Sequence, residues 1–60
     1  MKIVRIKLLA PTVEGYPLEK WVYTQPLLVL EETEQFVLVK YKGKMPIHAW
    51  FDKQYVDSWL

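Results

Sequence analysis

The chain has no cysteine. That excludes a disulfide framework and a thiolate metal site, so nothing covalent can help this fold. It has only two glycines and little serine, which leaves no stretch that reads as a disordered linker. No apolar run approaches the roughly 20 residues needed to span a bilayer. The N-terminal MKIVRIKLLAP carries charges throughout and has no separate apolar segment, so a secretory signal is not expected. Charge of one sign is also lacking. Eight Lys/Arg against seven Asp/Glu gives a net charge of +1, which argues against a protein whose main task is to neutralise phosphates. No internal repeat or low-complexity tract occurs, and no segment has helical periodicity long enough for a true helix.

What is present is apolar and aromatic. Sixty residues make one domain, expected to span residues 1–60. A chain this short buries only about 60% of the surface its unfolded form exposes. Hydrophobic residues are 52% of the sequence, with three Trp, four Tyr and two Phe to supply burial. A domain this small has little interior for so many rings, so at least two should lie exposed.

The alternation of side chains predicts strands throughout. Ile3 to Ala10 has Val4, Ile6, Leu8 and Ala10 on one face, and Pro11 ends it. Pro11 to Lys20 is a long irregular loop, a kind of segment that is often functional. Trp21, Val22 and Tyr23 read as a short strand, followed by a turn over Thr24, Gln25 and Pro26. Leu27 to Glu31 is a strand with Leu28 and Leu30 inward, and Glu32 to Glu34 is its turn. Phe36 to Tyr41 returns, with Val37, Val39 and Tyr41 sharing a face. Lys42, Gly43 and Lys44 form a tight turn, and Pro46 to Phe51 is the next strand. Asp52 to Tyr55 is one helical turn with Asp52 as N-cap, and Val56 to Trp59 is the last strand. Short strands in so small a chain predict a barrel, because closure removes exposed edges.

From Gln25 to Trp59 the pattern resembles the Src-homology-3 (SH3) family. The residues that carry it are Leu27-Leu28-Val29-Leu30-Glu31-Glu32, Phe36-Val37-Leu38-Val39-Lys40, Lys42-Gly43-Lys44, Ala49-Trp50-Phe51-Asp52, Gln54-Tyr55 and Val56-Asp57. The resemblance implies an all-β fold: a small five-stranded SH3-like barrel with one 3-10 helical turn before the last strand. It also places the Pro11–Lys20 loop where the family has its long ligand-facing loop. The family's ligand-stacking Trp corresponds to Phe36, its second Trp to Val37, its Pro to Asp52 and its strand Gly to Ala49. Of the polyproline-gripping positions, that of Tyr55 is kept. The resemblance thus speaks for the barrel more than for polyproline recognition.

Candidate site residues follow from ring chemistry and charge. Phe36, Trp50 and Tyr55 could line one groove, with Tyr16 or Tyr23 from the long loop beside them, since such rings bring contact area with few rotatable bonds. The groove between the Pro11–Lys20 loop and the Glu32–Glu34 turn would be the site, with Glu14, Glu19, Glu32 and Glu34 supplying charge specificity toward a basic partner. Each has a plainer role, the rings as core and the glutamates as solvated turns. The terminal Trp59-Leu60 is expected to tuck against the first strand; exposed, it could form the edge of a homodimer. His48 is the only histidine and has no second His or Cys near it, so neither a metal site nor a cofactor is expected.

Catalysis has little support. Ser58 and His48 carry no nucleophile motif, no glycine-rich phosphate loop is present, and the chain is too small for a pocket of several hundred Å³. The expectation is a non-enzymatic cytoplasmic protein that binds a larger protein through an exposed aromatic and acidic surface, as an interaction module or a small regulatory or inhibitory protein. It would be a monomer or weak homodimer with no membrane role. It begins with Met and lacks linkers, which reads as a free-standing small protein of the sort bacteria and their viruses make. The competing classes are a nucleic-acid-binding barrel using Lys40, Lys42 and Lys44, and a structural subunit that dimerises at the Trp59 edge.

Overall fold

The computed structural model describes residues 2–41 and 47–60. They form one antiparallel sheet of five strands: β1 (Lys2–Ile6), β2 (Leu27–Glu32), β3 (Phe36–Lys40), β4 (His48–Asp52) and β5 (Val56–Trp59). Their order across the sheet is β4-β3-β2-β1-β5, so β4 and β5 are its two edges. Two 3-10 turns, Lys20–Thr24 and Lys53–Tyr55, are the helical elements among the described residues. The domain is therefore all-β, with the expected 3-10 turn before the last strand. Closure of β4 onto β5 is not among the registers paired in the described residues. The tight turn over Lys42, Gly43 and Lys44, and Pro46 at the head of the next strand, lie outside them.

The interior is apolar. Val4 and Ile6 from β1, Leu27 from β2, Val37 and Val39 from β3, and Ala49 and Phe51 from β4 are buried together with Ala10, Val22 and Tyr23. Val37 faces Phe51 across the β3–β4 ladder and Val39 faces Ala49, so the alternation in β3 places both valines inward as expected. Tyr41 packs on the same cluster. No charged side chain is buried among the described residues, so the core carries no desolvated charge.

Three expectations about local structure are corrected. First, β1 stops at Ile6 rather than Ala10. Lys7 to Ala10 is a turn closed by the Ala10 amide donating to the Lys7 carbonyl at 3.0 Å. Leu8 is exposed rather than inward, and Leu9 sits at φ 59°, a left-handed conformation that costs a non-glycine residue about 1–2 kcal/mol. No Gly or Asn marks the turn, so alternation alone runs through it. Second, Trp21 to Tyr23 is not a strand. Val22 and Tyr23 are adjacent and both buried, which a strand's alternating faces cannot achieve and a 3-10 turn can. The Thr24 hydroxyl and the Gln25 side-chain Nε2 both donate to the Trp21 carbonyl, covering that end of the turn. Third, Leu28 and Leu30 are not the inward residues of β2. Leu27 is 1% exposed and Val29 packs on the core, whereas Leu30 is 46% exposed. Register passes from Val29↔Val39 to Glu31↔Leu38, which leaves Leu30 as the extra residue of a bulge. A shift of one position exchanges the two faces of a strand.

The end of β4 follows expectation. Asp52 caps the second 3-10 turn, its carboxylate accepting from the Gln54 amide at 3.0 Å.

The phase of β2 can be checked by equilibrium urea unfolding. Leu27→Ala is expected to cost about 2–5 kcal/mol, as for a fully enclosed leucine. Leu30→Ala should change stability by no more than about 0.5 kcal/mol. The reverse ranking would place the inward face on the even positions.

Candidate functional site

The long loop is an ordered tongue. Pro11 and Pro17 form an antiparallel bridge, the Thr12 amide donates to the Tyr16 carbonyl at 2.9 Å, and the Gly15 amide donates to the Thr12 carbonyl at 2.8 Å. Gly15 turns the tip at φ +100°, where a side chain would be strained. At the base, the Tyr23 hydroxyl donates to the Ala10 carbonyl at 2.6 Å and accepts from the Leu18 amide at 2.8 Å. Toward the tip, the Val13 amide donates to the Trp50 carbonyl at 2.9 Å, so the tongue lies along β4.

This placement makes two grooves that share one wall, Thr12 and Val13. The first has a volume of about 270 Å³. Glu14, Tyr16 and Leu18 line it from the tongue, and His48, Ala49 and Trp50 from β4. The second is about 280 Å³ and lies between Pro11 and Gly15 of the tongue, Gln35 and Phe36 at the start of β3, and Asp52, Gln54 and Tyr55. Both are surface grooves just below the size of ordinary small-ligand pockets.

The expected site residues are thus divided. Phe36 and Tyr55 meet in the second groove, and Trp50, Tyr16 and Glu14 meet in the first. Phe36, Trp50 and Tyr55 are half-buried, while Tyr16 is 72% exposed. Glu19 and Glu34 are exposed and line neither groove. Glu32 belongs to the end of β2 rather than to the turn, and its carboxylate is held by Lys2 Nζ at 2.6 Å and Lys53 Nζ at 2.7 Å. Tyr23 is not a groove residue: it is 6% exposed, with its ring edge-on to Phe51 at 6.3 Å. The long loop walls the grooves as expected, through Thr12 and Val13, but no residue of the Glu32–Glu34 turn lines either one, and Asp52 lines the second in its place. Asp52 read as a cap only, and the wall depends on a backbone bond between residues far apart in the chain.

The remaining candidates are dispersed. The main chain at the C-terminal end is tied to β1, with Trp59 opposite Val4 and the Leu60 amide donating to the Ile3 carbonyl at 2.8 Å. The Trp59 ring is nonetheless 48% exposed, and Lys2 Nζ lies over it, 5.6 Å from the centroid. Lys40 stands opposite His48 across the β3–β4 ladder, and Lys42 and Lys44 lie outside the described residues. Ser58 and His48 are on the two opposite edge strands. Among the described residues, no three His, Asp or Glu side chains gather where they could hold a metal ion, and no helix is long and apolar enough to cross a membrane. No protein-family model matches the chain, and neither a curated protein nor a solved structure is significantly similar to it.

Hydrogen bonds from Lys2 and then Lys53 hold the Glu32 carboxyl below its ordinary value near 4.5. A lowered pKa in the fold means that this contribution is present above pH 4.5 and is lost as pH falls through and below that value. The cluster is open to solvent, so its contribution is small and screened by salt. Glu32→Gln should be less stable than the parent at pH 7 in low salt. The difference should shrink both at pH 3 and in 1 M NaCl, as read by urea midpoints; a difference that stays constant would show that Glu32 acts through packing.

Proposed function

We propose that the chain is a non-enzymatic protein-binding module, built as an SH3-like barrel, that holds a segment of a larger protein in the two grooves beside the tongue. The observation that carries this reading is the grouping of four rings, Tyr16 with Trp50 and Phe36 with Tyr55, on the two sides of one shared wall. Phe36, Trp50 and Tyr55 are half-buried against the body of the domain, so a partner gains contact area on them without ordering them, and Tyr16 adds an exposed ring. Glu14 beside Tyr16 and Trp50, and Asp52 beside Phe36 and Tyr55, give each groove a carboxylate. A partner segment with apolar residues and a Lys or Arg complements that lining. The module acts in the cytoplasm as a monomer or weak homodimer and needs no cofactor.

The test uses the wild-type chain as bait to capture its partner, followed by titration with variants whose folding is checked by circular dichroism. The pairs Phe36→Ala/Tyr55→Ala and Tyr16→Ala/Trp50→Ala are each expected to weaken binding by about 30-fold or more, the effect of losing roughly 2 kcal/mol of anchor contacts. Unchanged affinity in both pairs overturns the site. Binding of duplex or single-stranded nucleic acid that disappears with added salt would favour the lysine surface instead.

A further inference from the structure

We infer that the Tyr23 hydroxyl is the positioning group for both grooves, a single-atom clasp that holds the tongue in place. Among the described residues, the hydrogen bonds that tie the tongue to the rest of the domain are few. One is the Val13 amide to the Trp50 carbonyl at 2.9 Å. Apart from the local bond from the Val22 amide to the Glu19 carbonyl at the exit of the loop, the others meet at one oxygen. The Tyr23 hydroxyl donates to the Ala10 carbonyl, on the leg entering the tongue, and accepts from the Leu18 amide, on the leg leaving it. That oxygen therefore uses its donor and one acceptor position at once, and it sets the spacing of the two legs.

Its own position is set by the core. The Tyr23 ring is buried and edge-on to Phe51, the largest fully buried side chain of the domain. The chain of reference runs from Phe51 to the Tyr23 ring, to the hydroxyl, to both legs, and then to Thr12 and Val13, which wall both grooves. Removing the oxygen frees both legs together. It leaves the buried Ala10 without that donor on its carbonyl and the half-buried Leu18 without that acceptor. The tongue should then open as a unit, and the two grooves should lose their common wall together. The link to binding rests on the proposed function; the clasp itself does not.

Tyr23→Phe in the full chain tests this by amide hydrogen exchange. The amides of Thr12, Val13, Gly15 and Leu18 should exchange about tenfold faster or more, while those of Val37, Val39 and Phe51 change by less than about threefold. Tongue rates that do not move, or that rise by the same factor as the core, overturn the inference, the latter because it marks a general loss of stability. Should the variant not fold, native-state exchange on the wild type across low denaturant decides. The Leu18 amide should open together with Thr12 and Gly15, below the free energy of global unfolding; a Leu18 amide that opens only with the core refutes the clasp. If the exchange result is as expected and the groove alanines still bind partner normally, the clasp stands and the site reading falls.

Discussion

The enclosure of Phe51 is the constraint from which the rest of this domain follows. Its ring lies opposite Val37 across the β3–β4 ladder and meets the edge of Tyr23. In a 60-residue chain without cysteine, such contacts must do what covalent links do in other small domains. They also carry order outward. Because the Tyr23 ring is held by the core, its hydroxyl is held too, and the backbone of a long loop can be built on it. The segment, whose Leu18 side chain also packs on the core, is thus tied to the body of the domain.

The charged residues are organised differently. None is buried among the described residues, and their best-defined cluster lies at the surface. Lys2 from β1, Glu32 from the end of β2 and Lys53 after β4 meet at one carboxylate, and Lys2 also covers the Trp59 ring from β5. Three parts of the chain far apart in sequence, around Lys2, Glu32 and Lys53–Trp59, are gathered this way. Exposed pairs of this kind contribute little each.

Much of the fold is legible in the sequence because β3 and β4 alternate without interruption. Val37, Val39, Ala49 and Phe51 fall inward by parity alone, and Asp52 announces the turn it caps. The failures have physical causes that parity cannot see. Leu30 is an extra residue in a bulge, Leu9 adopts a left-handed backbone without being glycine, and Val22 with Tyr23 are neighbours that are both buried. The site divides the same way. Phe36, Trp50, Tyr55, Tyr16 and Glu14 are recognisable by residue type. Their partition into two grooves is not, since it depends on the tongue's bonds to Tyr23 and Trp50, which join residues 13 and 37 positions apart. Glu32 has the composition of an interaction residue, but its carboxylate is already occupied by two lysines.

The bond from the Val13 amide to the Trp50 carbonyl has a second consequence. β4 is an edge strand, and an edge with free carbonyls and amides is a template on which another chain can add a strand. The tongue occupies part of that template through the Val13–Trp50 bond, which leaves less of the edge open to strand addition. Lifting the tongue would therefore do two things at once: part the walls of both grooves and leave more of the β4 edge open to strand addition. The shape of both grooves and the cover over that edge are tied in this molecule to the same few atoms.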